Sequence, residues 1–308
     1  MSELYTMQRF LQLDTLEAMG LLTFDDWAST FGEITSSLEM TPEGSGYRVR
    51  NRFAKFHNLP ELMSMFQLVA DIQTHDMLDL PTPEIYGGKA QVIVSEPSPY
   101  QQEMMVNLAE RAENIRAGSV DPRDDNPLKI TTEAKLMAID PRLLDPDAPI
   151  DENSKIYNCT GNTYRIWQET TKNKSTQIIF SDSGTPKKGF NVYDEVKNQL
   201  MRKGIPEHEI AFIHDAKTDI QRENLLDKVR TGAVRVILGS TTKLGTGTNI
   251  QDKLIAGHHI DCPWRPSDLE QRDGRSIRQG NENDVVYIYR YVTKSTFDSY
   301  LWVRHEVA

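Results

Sequence analysis

Two stretches of this 308-residue chain, one closely following the other, concentrate residue types that can handle phosphate. The first is Gly239-Ser-Thr-Thr-Lys-Leu-Gly-Thr-Gly-Thr-Asn-Ile-Gln251, directly after the apolar run Val234–Leu238. Small residues at the carboxyl end of a strand let backbone N–H groups approach a phosphate, and Thr241 and Thr246 add hydroxyl donors. A tight strand-to-helix turn with no ligand would use the same residues. The loop is not of the Walker A kind, because Lys243 precedes Gly245, and Gly245 and Gly247 lack the third glycine of a dinucleotide fingerprint. The second stretch is Pro263-Trp-Arg-Pro-Ser-Asp-Leu-Glu-Gln-Arg-Asp-Gly-Arg-Ser-Ile-Arg-Gln-Gly-Asn281. On a helix, Gln271, Arg275 and Arg278 fall at i, i+4 and i+7, along one stripe. An amide and two guanidiniums make a poor core face and a good grip for a polyanion, since arginine is planar, always charged and able to bind phosphate oxygens bidentately. A solvated basic face is the plain alternative. The scarcity of apolar residues here and the glycine-rich turn one strand upstream favour the grip.

The elements that must position these residues alternate in type. Gln177–Ser181 reads as a strand. Asn191–Lys203 reads as a helix, with Val192, Val196 and Leu200 on one face and Gly204 as its stop. Strand Ile210–Ile213, helix Asp219–Arg230, strand Val234–Leu238 and strand Leu254–Ile260 follow, then a helix from about Ser267, strand Val285–Val292 and a helix from Thr296. This α/β alternation with short apolar runs predicts a parallel sheet flanked by helices, with ligands at the carboxyl ends of its strands. The first half is less regular and rich in proline. Helices are expected at Leu59–Ile72 and Tyr100–Ala117, a strand at Gln91–Ser95, and acidic loops at Gly118–Pro127 and Asp145–Asn153. The second loop is taken as the boundary between a mostly helical, irregular region at 1–154 and an α/β domain at 155–308.

Charge divides the same way. Residues 1–154 hold 12 lysines and arginines against 26 aspartates and glutamates, a net −14, whereas 155–308 hold 23 against 19, a net +4. Phosphate contacts therefore belong to local clusters in the second half. No apolar run reaches membrane-spanning length, and Met1–Phe10 has no secretory pattern. Cys159 and Cys262 are far apart and form no CxxC pair, which fits a reducing cytoplasm. His258 and His259 precede Asp261, but adjacent strand residues point to opposite faces, so no metal is expected. His214-Asp215 is read as a loop-facing polar pair, and Asp194-Glu195 as a solvated helix face. Trp264, between Pro263 and Pro266, could stack on a base or pack against the helix after it.

Taken in order, Ser240-Thr241, Gly245-Thr246-Gly247, Asn249, Trp264-Arg265-Pro266, Gln271-Arg272, Gly274-Arg275 and Arg278-Gln279-Gly280 resemble motifs five and six of Swi/Snf-type superfamily-two helicases. Gln177–Asp182 resembles motif four. Leu80-Pro81, Ser98-Pro99-Tyr100-Gln101, Leu128-Lys129 and Asp140-Pro141-Arg142-Leu143 resemble the region joining the two lobes in that family. Phe24-Asp25-Asp26-Trp27-Ala28, Arg52-Phe53-Ala54 and Pro263-Trp264-Arg265-Pro266 resemble the helicase part of large methylase–helicase proteins of phages and mobile elements. The resemblance implies a RecA-like C-terminal lobe. Arg275 and Arg278 would be arginine fingers for ATP held on the other lobe, with Gln271 beside the phosphate or attacking water. Gly245, Gly247 and Asn249 would lie at the nucleotide, the two glycines also touching a DNA strand with Thr241 and coupling it to the nucleotide site. Ser181, Asp182, Thr241 and Thr246 would face DNA. Asp273 and Ser276 stand where the family more often has apolar residues, and Lys243 and Leu244 replace smaller ones.

No Gly-Lys-Ser/Thr tripeptide occurs in the chain, so nothing in it can cradle the β- and γ-phosphates or offer a hydroxyl to Mg2+. The expectation is a second motor lobe of an ATP-dependent DNA translocase whose ATP and Mg2+ are bound with an N-terminal lobe absent from this chain, which alone would be inactive. A methylase Asn/Asp-Pro-Pro-Tyr/Phe tetrad is also missing, Asn126-Pro127-Leu128 being the nearest string. The alternatives are a non-enzymatic DNA-binding or scaffold lobe, and a dinucleotide or nucleotide-sugar enzyme. The last is disfavoured because its phosphate loop should open the first strand–helix unit.

Overall fold

The computed structural model describes residues 2–40, 47–73, 77, 81–245 and 248–307. The chain forms two compact units, one of Met1–Thr41 with Gly46–Asp79 and the other built on Leu80–Ala308.

The first unit contains helices α1 (Ser2–Leu11), α2 (Leu13–Ala18) and α3 (Phe24–Phe31), an antiparallel hairpin of β1 (Gly32–Met40) and β2 (Tyr47–Phe56), and α4 (Leu59–Phe66). Its core gathers around Trp27, fully buried with Leu16, Phe31 and Leu62. The indole N–H donates to Gln8 at 2.8 Å, so burying Trp27 strands no donor. The hairpin was not expected, because β2 alternates its apolar residues with arginine and asparagine and reads as polar. The helix expected over Leu59–Ile72 stops at Phe66. Leu68 and Val69 beyond it are exposed, so another turn would bury nothing.

The second unit runs β3 (Glu84–Ile85), β4 (Gln91–Ser95), α5 (Pro99–Arg116), α6 (Pro127–Ile139), α7 (Lys155–Glu169), β5 (Thr176–Phe180), α8 (Val192–Lys203), β6 (Ile210–Phe212), α9 (Asp219–Arg230), β7 (Val236–Gly239), β8 (Leu254–His259), α10 (Pro266–Ser276), β9 (Val285–Thr293) and α11 (Phe297–Val307). A seven-stranded sheet has the order β3-β9-β8-β5-β7-β6, with β4 also on β9, and every pairing is parallel. The RecA-like parallel sheet flanked by helices is therefore present. Strand β4 and helices α5 and α6 belong to the same compact unit as residues 155–308, so this unit begins well before that boundary.

The central strands are apolar throughout because both faces are covered. In β5, Ile179 joins the cluster with Val192, Tyr193 and Val196 of α8, while Ile178 and Phe180 join Leu226 and Val229 of α9 on the other face. Side chains start the helices: Ser98 and Gln101 form a capping box on α5, Thr218 and Gln221 on α9, and Asn191 caps α8. Gly204 ends α8 at φ 111°, the left-handed conformation that favours glycine. Asp194 sits in the first turn of α8, hydrogen-bonded to Asn191 at 2.6 Å. Lys155 of α7 is buried against Asp298 of α11, an ion pair closing the sheet's outer helices together.

Candidate functional site

The motif-bearing loops all leave carboxyl ends of neighbouring strands. Residues 181–191 follow β5, 240–253 follow β7, and 260–265 follow β8, with α10 next in the chain. Because β7, β5 and β8 are adjacent in the sheet, segments about 80 residues apart are brought together. Thr241–Gly245 forms one π-helical turn directly after β7. Leu244, which stands where the resembled family has a smaller residue, is fully buried in the core over Gly239, where a Cβ would stand 2.2 Å from Leu244 Cδ1. Only glycine allows that closeness. Thr246 and Gly247 lie outside the described residues.

Helix α10 ends at Ser276, so Arg278 is not on its last turn as the helical stripe predicted. The two guanidiniums converge nonetheless. Arg275 donates through Nε and Nη2 to the Gly245 carbonyl, at 3.1 and 2.6 Å, and through Nη1 to the Thr248 carbonyl at 2.6 Å. Arg278 donates to the same Thr248 carbonyl at 3.3 Å. Among the described residues neither has a carboxylate partner. Burial, and then the charge of Arg278, push Arg275 below the usual arginine range. Two half-buried cations facing one loop with only carbonyl partners suit an anion, which would relieve their repulsion. Gln271 is exposed on the same helix. Asn249 is exposed too, its carbonyl accepting from Arg230 at 2.8 Å.

The residues expected to face DNA are placed differently. Ser181 is buried, its hydroxyl donating to the Ser183 carbonyl and its own carbonyl accepting from Tyr193. Asp182 and Thr241 bind each other: Asp182 accepts from the Thr241 N–H at 2.6 Å and from its hydroxyl at 2.8 Å. Both bind Arg272, which is 1% exposed. The Arg272 guanidinium donates to Thr241 Oγ1 at 2.8 Å, to Asp182 Oδ2 at 2.7 Å, and to Asp261 through its carbonyl at 2.8 Å and its carboxylate at 3.1 Å. Asp261, fully buried, also accepts the N–H groups of Asp182 and Ser183 at 2.9 and 3.0 Å. Burial opposes both charges most strongly, but for Asp261 the Arg272 guanidinium together with the Lys135 and Lys155 ammoniums and the Asp182 N–H outweighs it, and the carboxyl is held below its ordinary range. Arg272 and Asp261 were not singled out from sequence for this role. The available signal was that Leu269, Arg272 and Ser276 share a helical stripe, the buried one.

Asp273 explains its own departure from the family pattern. It lies 2.8 Å from His259 Nε2 and 3.4 Å from Arg290, which give its carboxylate polar partners. Ser276 has a packing reason, since its Oγ would be 3.2 Å from a Cβ at Gly257. His258 and His259 do face opposite ways, His258 onto Tyr289 and Tyr291 and His259 onto Phe180. Among the described residues no group of three or more His, Cys, Asp or Glu could hold a metal, and no helix is long and apolar enough to cross a membrane. Trp264 is half exposed, packed on Phe297 and covered by Lys135 at 5.2 Å.

Residues 161–280 match the helicase conserved C-terminal domain. "Defense against restriction protein B" of Escherichia phage P1 is 34% identical over 58 residues, 19% of this chain and 3% of that protein. "Uncharacterized ATP-dependent helicase YqhH" of Bacillus subtilis is 40% identical over 72 residues, 23% of this chain and 12% of that protein. The chain thus corresponds to a small part of these relatives. Among solved structures, the Sulfolobus solfataricus SWI2/SNF2 ATPase C-terminal domain has a TM-score of 0.49 at 17% identity, covering 70% of this chain and 84% of that one.

Proposed function

We propose, from the helicase C-terminal domain at residues 161–280, that this chain is the second motor lobe of an ATP-dependent DNA translocase. The observation that carries the reading is the convergence of Arg275 and Arg278 on the loop after β7, with no carboxylate partner among the described residues. Guanidiniums so placed can meet the charge that develops on a transferring phosphoryl group, which is worth most where it arises only in the transition state. ATP with Mg2+, when bound, supplies the phosphoryl group. This chain's part is to bring Arg275 and Arg278 to it, with Gln271 alongside. On this reading Gly245 and Asn249 serve the nucleotide edge, and Asp182 with Thr241 serves the DNA side, where the loops after β5 and β7 meet. A lobe carrying a Gly-Lys-Ser/Thr loop is the required partner. The resemblance to methylase–helicase proteins and the short likeness to a phage P1 protein support a setting on a phage or mobile element.

The test is ATP hydrolysis, with and without duplex DNA, by this chain alone and by the chain joined to its phosphate-binding lobe. The expected result is background turnover alone and DNA-stimulated turnover when joined. Turnover by the 308 residues alone at translocase-like rates would refute the division of labour. DNA binding with no hydrolysis in the joined protein would favour a scaffold lobe.

A further inference from the structure

We propose that Arg272 is a positioning residue that couples the loops after β5, β7 and β8 to Arg275 and Arg278, so that DNA at those loops changes where the two guanidiniums stand. This rests on the motor-lobe reading above. One fully buried guanidinium collects Asp182 from the first loop, Thr241 from the second and Asp261 from the third. Arg272 stands one turn before Arg275 on α10, and α10 grips the second loop again where Arg275 binds the Gly245 and Thr248 carbonyls. The loop after β7 is therefore held by one helix at both its start and its middle. It cannot shift without moving a donor that belongs to α10.

Charge makes this link sensitive to an anion. The Thr241 hydroxyl has one proton, given to Asp182, while its oxygen accepts from Arg272 Nε. The Asp182 side chain is 30% exposed, the hub's opening to solvent, whereas Arg272 and Asp261 are closed off. A DNA phosphate arriving beside it cannot accept from a carboxylate. It can accept the Thr241 hydroxyl's hydrogen bond in place of Asp182, which breaks one Asp182 contact and leaves Arg272 to rebalance between Asp182 and Asp261. In a low-dielectric interior such a rearrangement shifts the guanidinium, and the helix that carries it, between two hydrogen-bonded states rather than by a continuous drift.

The test compares Arg272→Lys and Asp261→Asn in the intact two-lobe protein. Lysine keeps the charge but donates from a single nitrogen, which cannot reach the acceptors that Arg272 meets separately through Nε, Nη1 and Nη2. Asp261→Asn weakens the anchor without emptying its place. The expected result is that the stimulation by DNA, the ratio of the DNA-stimulated to the DNA-free ATPase rate, falls about tenfold, within the usual range of coupling factors. A purely structural role would lower DNA-free and stimulated rates together, leaving their ratio intact, and that ratio overturns the proposal. Should Arg272→Lys fail to fold, Asp261→Asn carries the same comparison. A wild-type protein whose ATPase ignores DNA sinks the motor-lobe reading and this coupling with it. A wild type that responds, with variants that respond equally, sinks only the coupling.

Discussion

Arg275 and Arg278 sit side by side and yet are held very differently. Arg275 spends Nε, Nη1 and Nη2 on two loop carbonyls, while Arg278 has one long hydrogen bond of 3.3 Å to Thr248. A guanidinium with donors to spare loses little by turning to a new anion, so on the proposed reading Arg278 is the better candidate for a finger, while Arg275 braces the loop. Arg278→Ala in the intact protein should lower kcat about a thousandfold or more, the usual range for arginine fingers, with DNA affinity little changed. Steady-state ATPase at saturating DNA, beside a DNA titration at fixed salt, checks this. Weakened DNA binding with kcat intact would make Arg278 part of a DNA clamp instead.

At the scale of elements, helix α7 and strands β5, β8 and β9 share a buried polar chain through the sheet. Gln177 uses its amide N–H on the Thr163 carbonyl, so its Oε1 faces His258 Nε2 at 3.0 Å, and the Tyr291 hydroxyl meets His258 Nδ1 at 2.9 Å. The ring is thus neutral, with its proton on Nε2. Burial, then the charges of His259 and Arg165, push its pKa down to about 3. A folded-state pKa below the unfolded value of about 6.5 means the unfolded chain takes up the proton first. This contribution to stability is whole above about pH 6.5 and is lost as pH falls from there towards 3, by up to about 1.4 kcal/mol per pH unit. Denaturant unfolding from pH 7 to 4.5 should show a shallower acid slope for His258→Gln than for the wild type. Equal slopes would mean that this histidine is not the buried neutral group described.

For the whole molecule, the useful quantity is the uneven charge, −14 over residues 1–154 and +4 over 155–308. A mild net positive charge gives little long-range attraction, so DNA binding should depend on local phosphate contacts at the loops. Each contact releases counterions, and with even a few of them the affinity of the chain for duplex DNA should fall at least about tenfold between 50 and 200 mM salt. A salt titration of binding reads the number of contacts from its slope. An affinity insensitive to salt would remove phosphate recognition as the basis of the interaction.

Patterns local in the chain were legible without the structure. The apolar run Gln177–Ser181, the stripe Val192–Val196–Leu200 with its Gly204 stop, and the strand–helix alternation after residue 155 all reappear, because burial on both sheet faces demands continuous apolar strands and helix ends demand their caps. The glycine-rich loop and the arginine-rich helix were found from composition and spacing alone. What only the tertiary structure decided were the partners of the polar residues. Strand order β8-β5-β7 sets Asp182, Thr241 and Asp261 around Arg272, and Arg275 against Gly245 and Thr248. Sequence spacing carries no information about which strands lie side by side, and a buried guanidinium is made tolerable only by acceptors that the sheet brings from far along the chain.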